Sequence, residues 1–158
     1  MNGNEMNRPR VLFAILDWGM GHASRSAPLI AHALSQNWEV HVASKGTALA
    51  FLQSQFQAAG IVFHIKPGPD IRYARRGNLI KIALQIPAFL ASIKAEEHWT
   101  ISLVSRHDIT HIVSDNCYGV SHPSVPSALV SHQLQLPVPF PLRRLAKAFV
   151  IRQARRFQ

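Results

Sequence analysis

Acids and cysteine are what this 158-residue chain has least of: eight Asp and Glu against seventeen Lys and Arg, and one cysteine, Cys117. A single thiol excludes an internal disulfide framework and fits a reducing compartment. Long apolar runs are missing too. The polar start, Met1 to Arg10, leads into an apolar run, Val11 to Leu16, shorter than a secretory leader needs and without a small-residue cleavage site. The longest uncharged apolar stretch, Ile82 to Ile93, is interrupted by Gln85 and Pro87, whereas spanning a bilayer takes about 20 residues. No Gly-Lys-Ser/Thr is present, which excludes a P-loop, and no Asp-x-Asp pair is there to hold a metal. The chain reads as soluble and cytoplasmic, at most peripheral at the inner membrane face.

What is present suffices for one core. Hydrophobic residues make up 47% of the chain, with eight Phe and three Trp, and the length suits one domain rather than two. The net charge of +9 is unevenly spread: from Pro141 to Gln158 there are six basic residues and no acid. Residues 1–140 are therefore read as the domain and 141–158 as a basic helical tail.

The pattern along the domain alternates. Val11-Leu-Phe-Ala-Ile-Leu16 has the continuous apolarity of a strand buried on both faces. Asp17-Trp-Gly-Met-Gly21 is a turn, and His22 to Gln36 carries apolar residues at helical spacing, with Pro28 tolerated only in the first turns. Glu39 to Ser44 is a second strand, Gly46 onward a second helix, and Ile61 to Ile65 a third strand. Lys66 to Asn78 is a loop rich in Pro, Gly and Arg. Leu79 to Arg106 is a long helix that Pro87 should kink or break. Thr110 to Ser114 and Ser127 to Ser131 are the last strands, and Leu142 to Phe157 is a basic helix. This is an α/β chain with a doubly wound, Rossmann-like parallel sheet, expected in the order 3-2-1-4-5.

In that order the first and fourth strands open onto one crevice at the switch point, where such sheets bind ligands. His22 follows the first and Asp115 ends the fourth, so the two should face each other. An imidazole titrates near neutrality, and a carboxylate on one ring nitrogen fixes the tautomer, which suits a general base. Gly19 and Gly21 let backbone amides at a helix N-terminus approach phosphate or developing negative charge. The bland alternatives are a first-turn His22 facing solvent and an Asp115 that merely closes a turn. The eight other histidines read mostly as surface or strand-end residues, except His132, which ends the fifth strand on the same edge.

The opening Val11-Leu-Phe-Ala-Ile-Leu-Asp-Trp-Gly-Met-Gly-His-Ala-Ser-Arg-Ser26 resembles the N-terminal domain of GT-B fold glycosyltransferases. The nearest likeness is to an uncharacterised bacterial group, and more distantly to the peptidoglycan N-acetylglucosamine transferase. Asp70-Ile-Arg-Tyr-Ala-Arg-Arg-Gly77, Ser114-Asp-Asn-Cys-Tyr-Gly119 and Ser131-His-Gln-Leu134 extend the likeness along the chain. Departures are Asp17 and Trp18, where the peptidoglycan enzyme has further glycines, and the absence of a second domain.

The resemblance implies the acceptor half of a two-domain transferase, inactive alone, whose missing C-terminal domain binds a nucleotide sugar such as a UDP-sugar. It implies His22 as base and Asp115 as its orienting acid, with Gly19 and Gly21 facing the donor diphosphate. Arg25, Asn116, His132 and the loop arginines Arg72, Arg75 and Arg76 would contact the acceptor. No cofactor or metal is required on this account. The Arg fork matches phosphate, so the acceptor is expected to be anionic or lipid-linked, and the tail helix could rest on anionic lipid or on the second domain. Two rival readings stand beside it. An NAD(P)-binding domain would use Lys45 on a 2′-phosphate, although Ser24 stands where that fingerprint wants Gly or Ala. A nucleic-acid module would use the basic tail.

Overall fold

The computed structural model describes residues 8–68, 79–131 and 143–157. Nine elements follow one another: β1 (Arg10–Ile15), α1 (Met20–Ser35), β2 (Glu39–Ser44), α2 (Gly46–Gln55), β3 (Val62–Ile65), α3 (Leu79–His107), β4 (His111–Asp115), β5 (Ser127–Val130) and α4 (Arg143–Ala154). The strands form one sheet in the order β3-β2-β1-β4-β5. Every pairing is parallel; helices make the crossovers up to β4, and the non-helical segment 116–126 joins β4 to β5. Expected strand edges shift by one residue: β3 begins at Val62 and β4 runs to Asp115.

Alternation along β1 divides the core in two. Val11, Phe13 and Ile15 pack with Ala23 and Ile30 of α1 on one face. Leu12 and Ala14 pack on the other with Leu103 and Val104 of α3. Successive side chains of a strand point to opposite faces, so the continuous apolar run of β1 feeds both layers.

Two proline expectations are corrected. Pro28 is the ninth residue of α1, not in its opening turn. Its ring lies on the exposed face, so the helix forgoes a backbone bond there while Ile30 and Ala33 stay buried opposite. The expected break at Pro87 does not occur either: α3 runs through it as one helix of 29 residues. The tail helix is also more committed than its charge suggests. Phe149 meets Phe89 of α3 with ring centroids 6.1 Å apart, Val150 is buried, and Arg156 pairs with Glu97. Arg144, Lys147 and Arg152 remain exposed on its other side. Among the described residues no helix is long and apolar enough to cross a membrane.

The histidines other than His22 were largely expected at the surface or at strand ends, and His41 is at neither. His41 in mid-β2 is fully buried; its ring stacks on that of His64 of β3, with His41 Nδ1 2.9 Å from His64 Nε2. His107, at the end of α3, lies 5.0 Å from each of those rings. The His41–Val62 register sets both strands' rings on the α3 face, which no local pattern announces. Burial, and then the positive neighbours His41, His107 and Arg106, push His64 down to about 4. Burial also lowers His41, against the pull of Glu39, which is itself held by Arg10.

A group whose folded value lies below its unfolded one leaves stability intact above the ordinary histidine range. That stability is lost as pH falls toward the folded value. Urea unfolding should therefore show a loss of about 1–2 kcal/mol between neutral pH and pH ~4.5, moderated because the His64 ring is only half-buried. His64→Gln should narrow that loss.

Candidate active site

The site is built where β1 and β4 end together. Ile15 and Asp115 are register partners, and Leu16 N–H donates to the Asp115 carbonyl at 3.1 Å. The chain leaving β1 turns through Gly19, whose φ of +94° is open to glycine and costly for other residues. It then enters α1 at Met20 without a side-chain cap. Gly21 has ordinary helical φ, and a side chain there would meet nothing within 4 Å. Backbone shape therefore requires glycine at Gly19 but not at Gly21.

His22, Arg25 and Ser26 stand three and four residues apart on α1, a spacing that gathers side chains on one helix face. All three converge on Asp115, whose side chain is 2% exposed. His22 Nδ1 lies 3.0 Å from Oδ1, Arg25 Nε donates to Oδ2 at 2.8 Å, and Ser26 Oγ donates to Oδ2 at 3.1 Å. Arg25 Nη2 also reaches Oδ1, and sits 2.8 Å from His22 Nδ1. Burial alone would push the Asp115 carboxyl up, but the bonds and charges of His22 and Arg25 hold it below the usual carboxylate value. The pair expected from the sequence is thus brought together across 93 residues. His22 is buried rather than facing solvent, and Asp115 does more than close a turn. Arg25, expected among the acceptor contacts, is engaged with Asp115.

A cleft opens at the carboxyl edge of the sheet, lined by neighbours of this pair in sequence but not by His22 or Asp115 themselves. Asp17 and Trp18 border it after β1, Lys45 after β2, Lys66 after β3 and Asn116 after β4, with Glu96 rising from α3. Asn116 adopts left-handed φ, 56°, and its Oδ1 is buried with no hydrogen-bond partner among the described residues. An amide oxygen left so costs desolvation free energy until a donor reaches it. The cations here have acids beside them: Lys45 Nζ is 3.7 Å from Asp17 and donates to the Gly68 carbonyl at 2.8 Å, while buried Lys66 pairs with buried Glu96. Cys117 lies fully buried, and that burial pushes its thiol up, so it is no nucleophile. Among the described residues no group of three or more His, Cys, Asp or Glu side chains is placed to hold a metal ion. Arg72, Arg75, Arg76 and His132 lie outside the described residues.

Sequence reasoning missed the Lys66–Glu96 pair and the part of Ser26. The His22, Arg25, Ser26 spacing was a usable signal for the second. Nothing local linked Lys66, in a loop, to a mid-helix glutamate.

Glycosyl transferase family 1 matches residues 9–115, more than half of the sequence, and the chain belongs to this family. Its fold is that of the N-terminal half of GT-B glycosyltransferases, and solved structures agree. The Streptomyces sp. SF2575 glycosyltransferase SsfS6 is 15% identical, with a TM-score of 0.56 over 92% of this chain and 44% of its own. The glycosyltransferase SnogD from Streptomyces nogalater is 16% identical, with a TM-score of 0.55 over 95% of this chain and 42% of its own. Phytolacca americana UGT2, solved with UDP-2fluoro-glucose and pterostilbene, is 15% identical, with a TM-score of 0.50 over 78% of this chain and 30% of its own. The chain thus spans less than half the length of these relatives. No curated protein matches it.

The dinucleotide alternative leaned on Lys45, which Asp17 and the Gly68 carbonyl hold. One further constraint is testable. A methyl group on Gly119 would sit 2.3 Å from the Ile93 carbonyl oxygen and 2.5 Å from Glu96 Cβ, where Gly119 N–H now donates to Glu96 Oε2 at 3.1 Å. Gly119→Ala should cost about 1–3 kcal/mol in denaturant unfolding, because the buried ion pair must move.

Proposed function

We propose that this chain is the acceptor-binding half of a metal-independent glycosyltransferase that moves a sugar from a nucleotide-sugar donor to an acceptor hydroxyl. The buried contact between His22 and Asp115 at the switch point is the observation that carries the reading. His22 takes the hydroxyl proton while the acceptor oxygen attacks the anomeric carbon. The bond from that carbon to the donor phosphate breaks, and the nucleoside diphosphate departs with the electron pair. Asp115 balances the imidazolium that forms. A histidine base acting on the acceptor favours inversion at the anomeric carbon.

The Gly19 turn and the uncovered start of α1, Gly21 included, leave room for the donor diphosphate to approach backbone amides. The buried Asn116 Oδ1 would accept a hydrogen bond from the acceptor, which meets its open position. A UDP-sugar is the donor favoured by the Phytolacca americana neighbour. A donor-binding domain outside residues 1–158 would supply its site, so the chain alone should not turn over. Arg72, Arg75, Arg76 and His132 are proposed to hold an anionic acceptor. A lipid-linked acceptor carrying such an anionic group would fit the same proposal. The exposed basic face of α4 would then rest at the cytoplasmic membrane surface.

The decisive assay joins this chain to a donor-binding domain and follows nucleoside diphosphate release that depends on acceptor. His22→Ala should lower kcat by about 10²–10⁴-fold while the protein stays folded. An unchanged kcat in that variant overturns the reading.

A further inference from the structure

One wall of the cleft is a single face of α3. Phe89, Ile93 and Glu96 stand four and three residues apart, so they share that face, and all three line the cleft. Each of them meets the segment that follows β4. The Phe89 ring lies edge-on to Tyr118, with centroids 6.5 Å apart. Gly119 comes so near the Ile93 carbonyl that a side chain there would clash, and its amide donates to Glu96 Oε2 at 3.1 Å. Lys66 braces the Glu96 end of this wall through the buried ion pair. The Phe89 end is weaker by construction. Pro87, two residues earlier, donates no backbone bond, so the helix there is held by one bond fewer. Phe89 is only half-buried, and its ring also meets Phe149 of α4 in a T-shaped contact, with centroids 6.1 Å apart.

We infer that α4 is part of the cleft's construction: Phe149 is a positioning residue that holds Phe89 on Tyr118 and so keeps α3 closed against the segment after β4. An aromatic ring held by two edge-to-face contacts has less freedom to turn out to solvent than a ring held by one. Phe149 thus does for the Phe89 end of the wall what Lys66 does for the Glu96 end. Two helical turns are stiff, so losing the hold at Phe89 lowers the cost of parting the whole face from residues 116–119. The width of the cleft then depends on residues 143–154, which the sequence sets apart as a tail. Calling the ligand of this cleft the acceptor rests on the proposed function; the clamp itself does not.

Amide hydrogen exchange on the 15N-labelled 158-residue chain reads the clamp, because the Gly119 amide exchanges when its segment parts from α3. The measurement is made where exchange follows the opening equilibrium, with neither donor nor acceptor present. Phe149→Ala should speed Gly119 exchange by about two- to tenfold, the factor for one lost aromatic contact, beyond any change at β1. Amides of β1, the central strand, report global unfolding in the same sample. Phe149→Leu keeps an apolar side chain, removes the ring and should act in the same direction, which covers the case in which the alanine variant does not fold. In a Phe89→Ala chain the contact is already gone, so adding Phe149→Ala should change Gly119 exchange by less than about twofold. Gly119 exchange unmoved in whichever Phe149 variants fold, or the full effect of Phe149→Ala retained in the Phe89→Ala chain, overturns the inference. So does a Gly119 amide that speeds up only as much as β1, the mark of a purely structural Phe149. Because no transfer is measured, an unchanged kcat in His22→Ala would sink the proposed function without touching this result.

Discussion

The Asp115 carboxylate is the constraint on which the site depends. It is 2% exposed, and a buried charge must be met by donors. Those donors come from one face of α1, through His22, Arg25 and Ser26. The bonds therefore fix where α1 starts relative to the end of β4, and with it the angle at which His22 is presented. Glycine at Gly19 makes the required turn possible, because the chain must reverse from strand to helix within a few residues under that carboxylate. Removing the charge would loosen the helix start as well as the histidine.

A second buried pair braces the opposite wall. Lys66 follows β3 and Glu96 lies on α3, and their contact holds the long helix against the sheet edge where the cleft opens. Gly119 approaches so closely that its amide bonds the same glutamate, which ties the segment after β4 into the brace. The cleft lining consequently carries cations beside acids, together with the Asn116 oxygen that has no partner among the described residues. Such a surface favours ligands that bring hydrogen-bond donors. The densest run of basic residues, by contrast, is the tail from Pro141 to Gln158, where Phe149 of α4 packs against Phe89 of α3.

Much of the architecture was legible because its signals are local and periodic. The apolar run of β1, the helical spacing of α1 and the alternation of strands and helices need only neighbours a few residues apart to be read, and they led to the observed strand order. The meeting of His22 with Asp115 followed from that order, since parallel strands present their carboxyl ends on one edge. The prolines misled for a physical reason. A lost backbone bond at an exposed position is a modest cost that the burial of Ile30 and its neighbours outweighs, and only the packed structure weighs the two.

By itself, then, the sequence determined the element order, the doubly wound sheet and the identity of the two residues at its switch point. Tertiary structure alone decided which partners those residues keep. Arg25, read along the chain as an acceptor contact, lies against Asp115 and His22 in space. The stacking of His41 on His64 and the pairing of Lys66 with Glu96 are likewise matters of register and burial. Periodicity says which face a side chain takes, whereas desolvation and geometry decide which distant group it must find there.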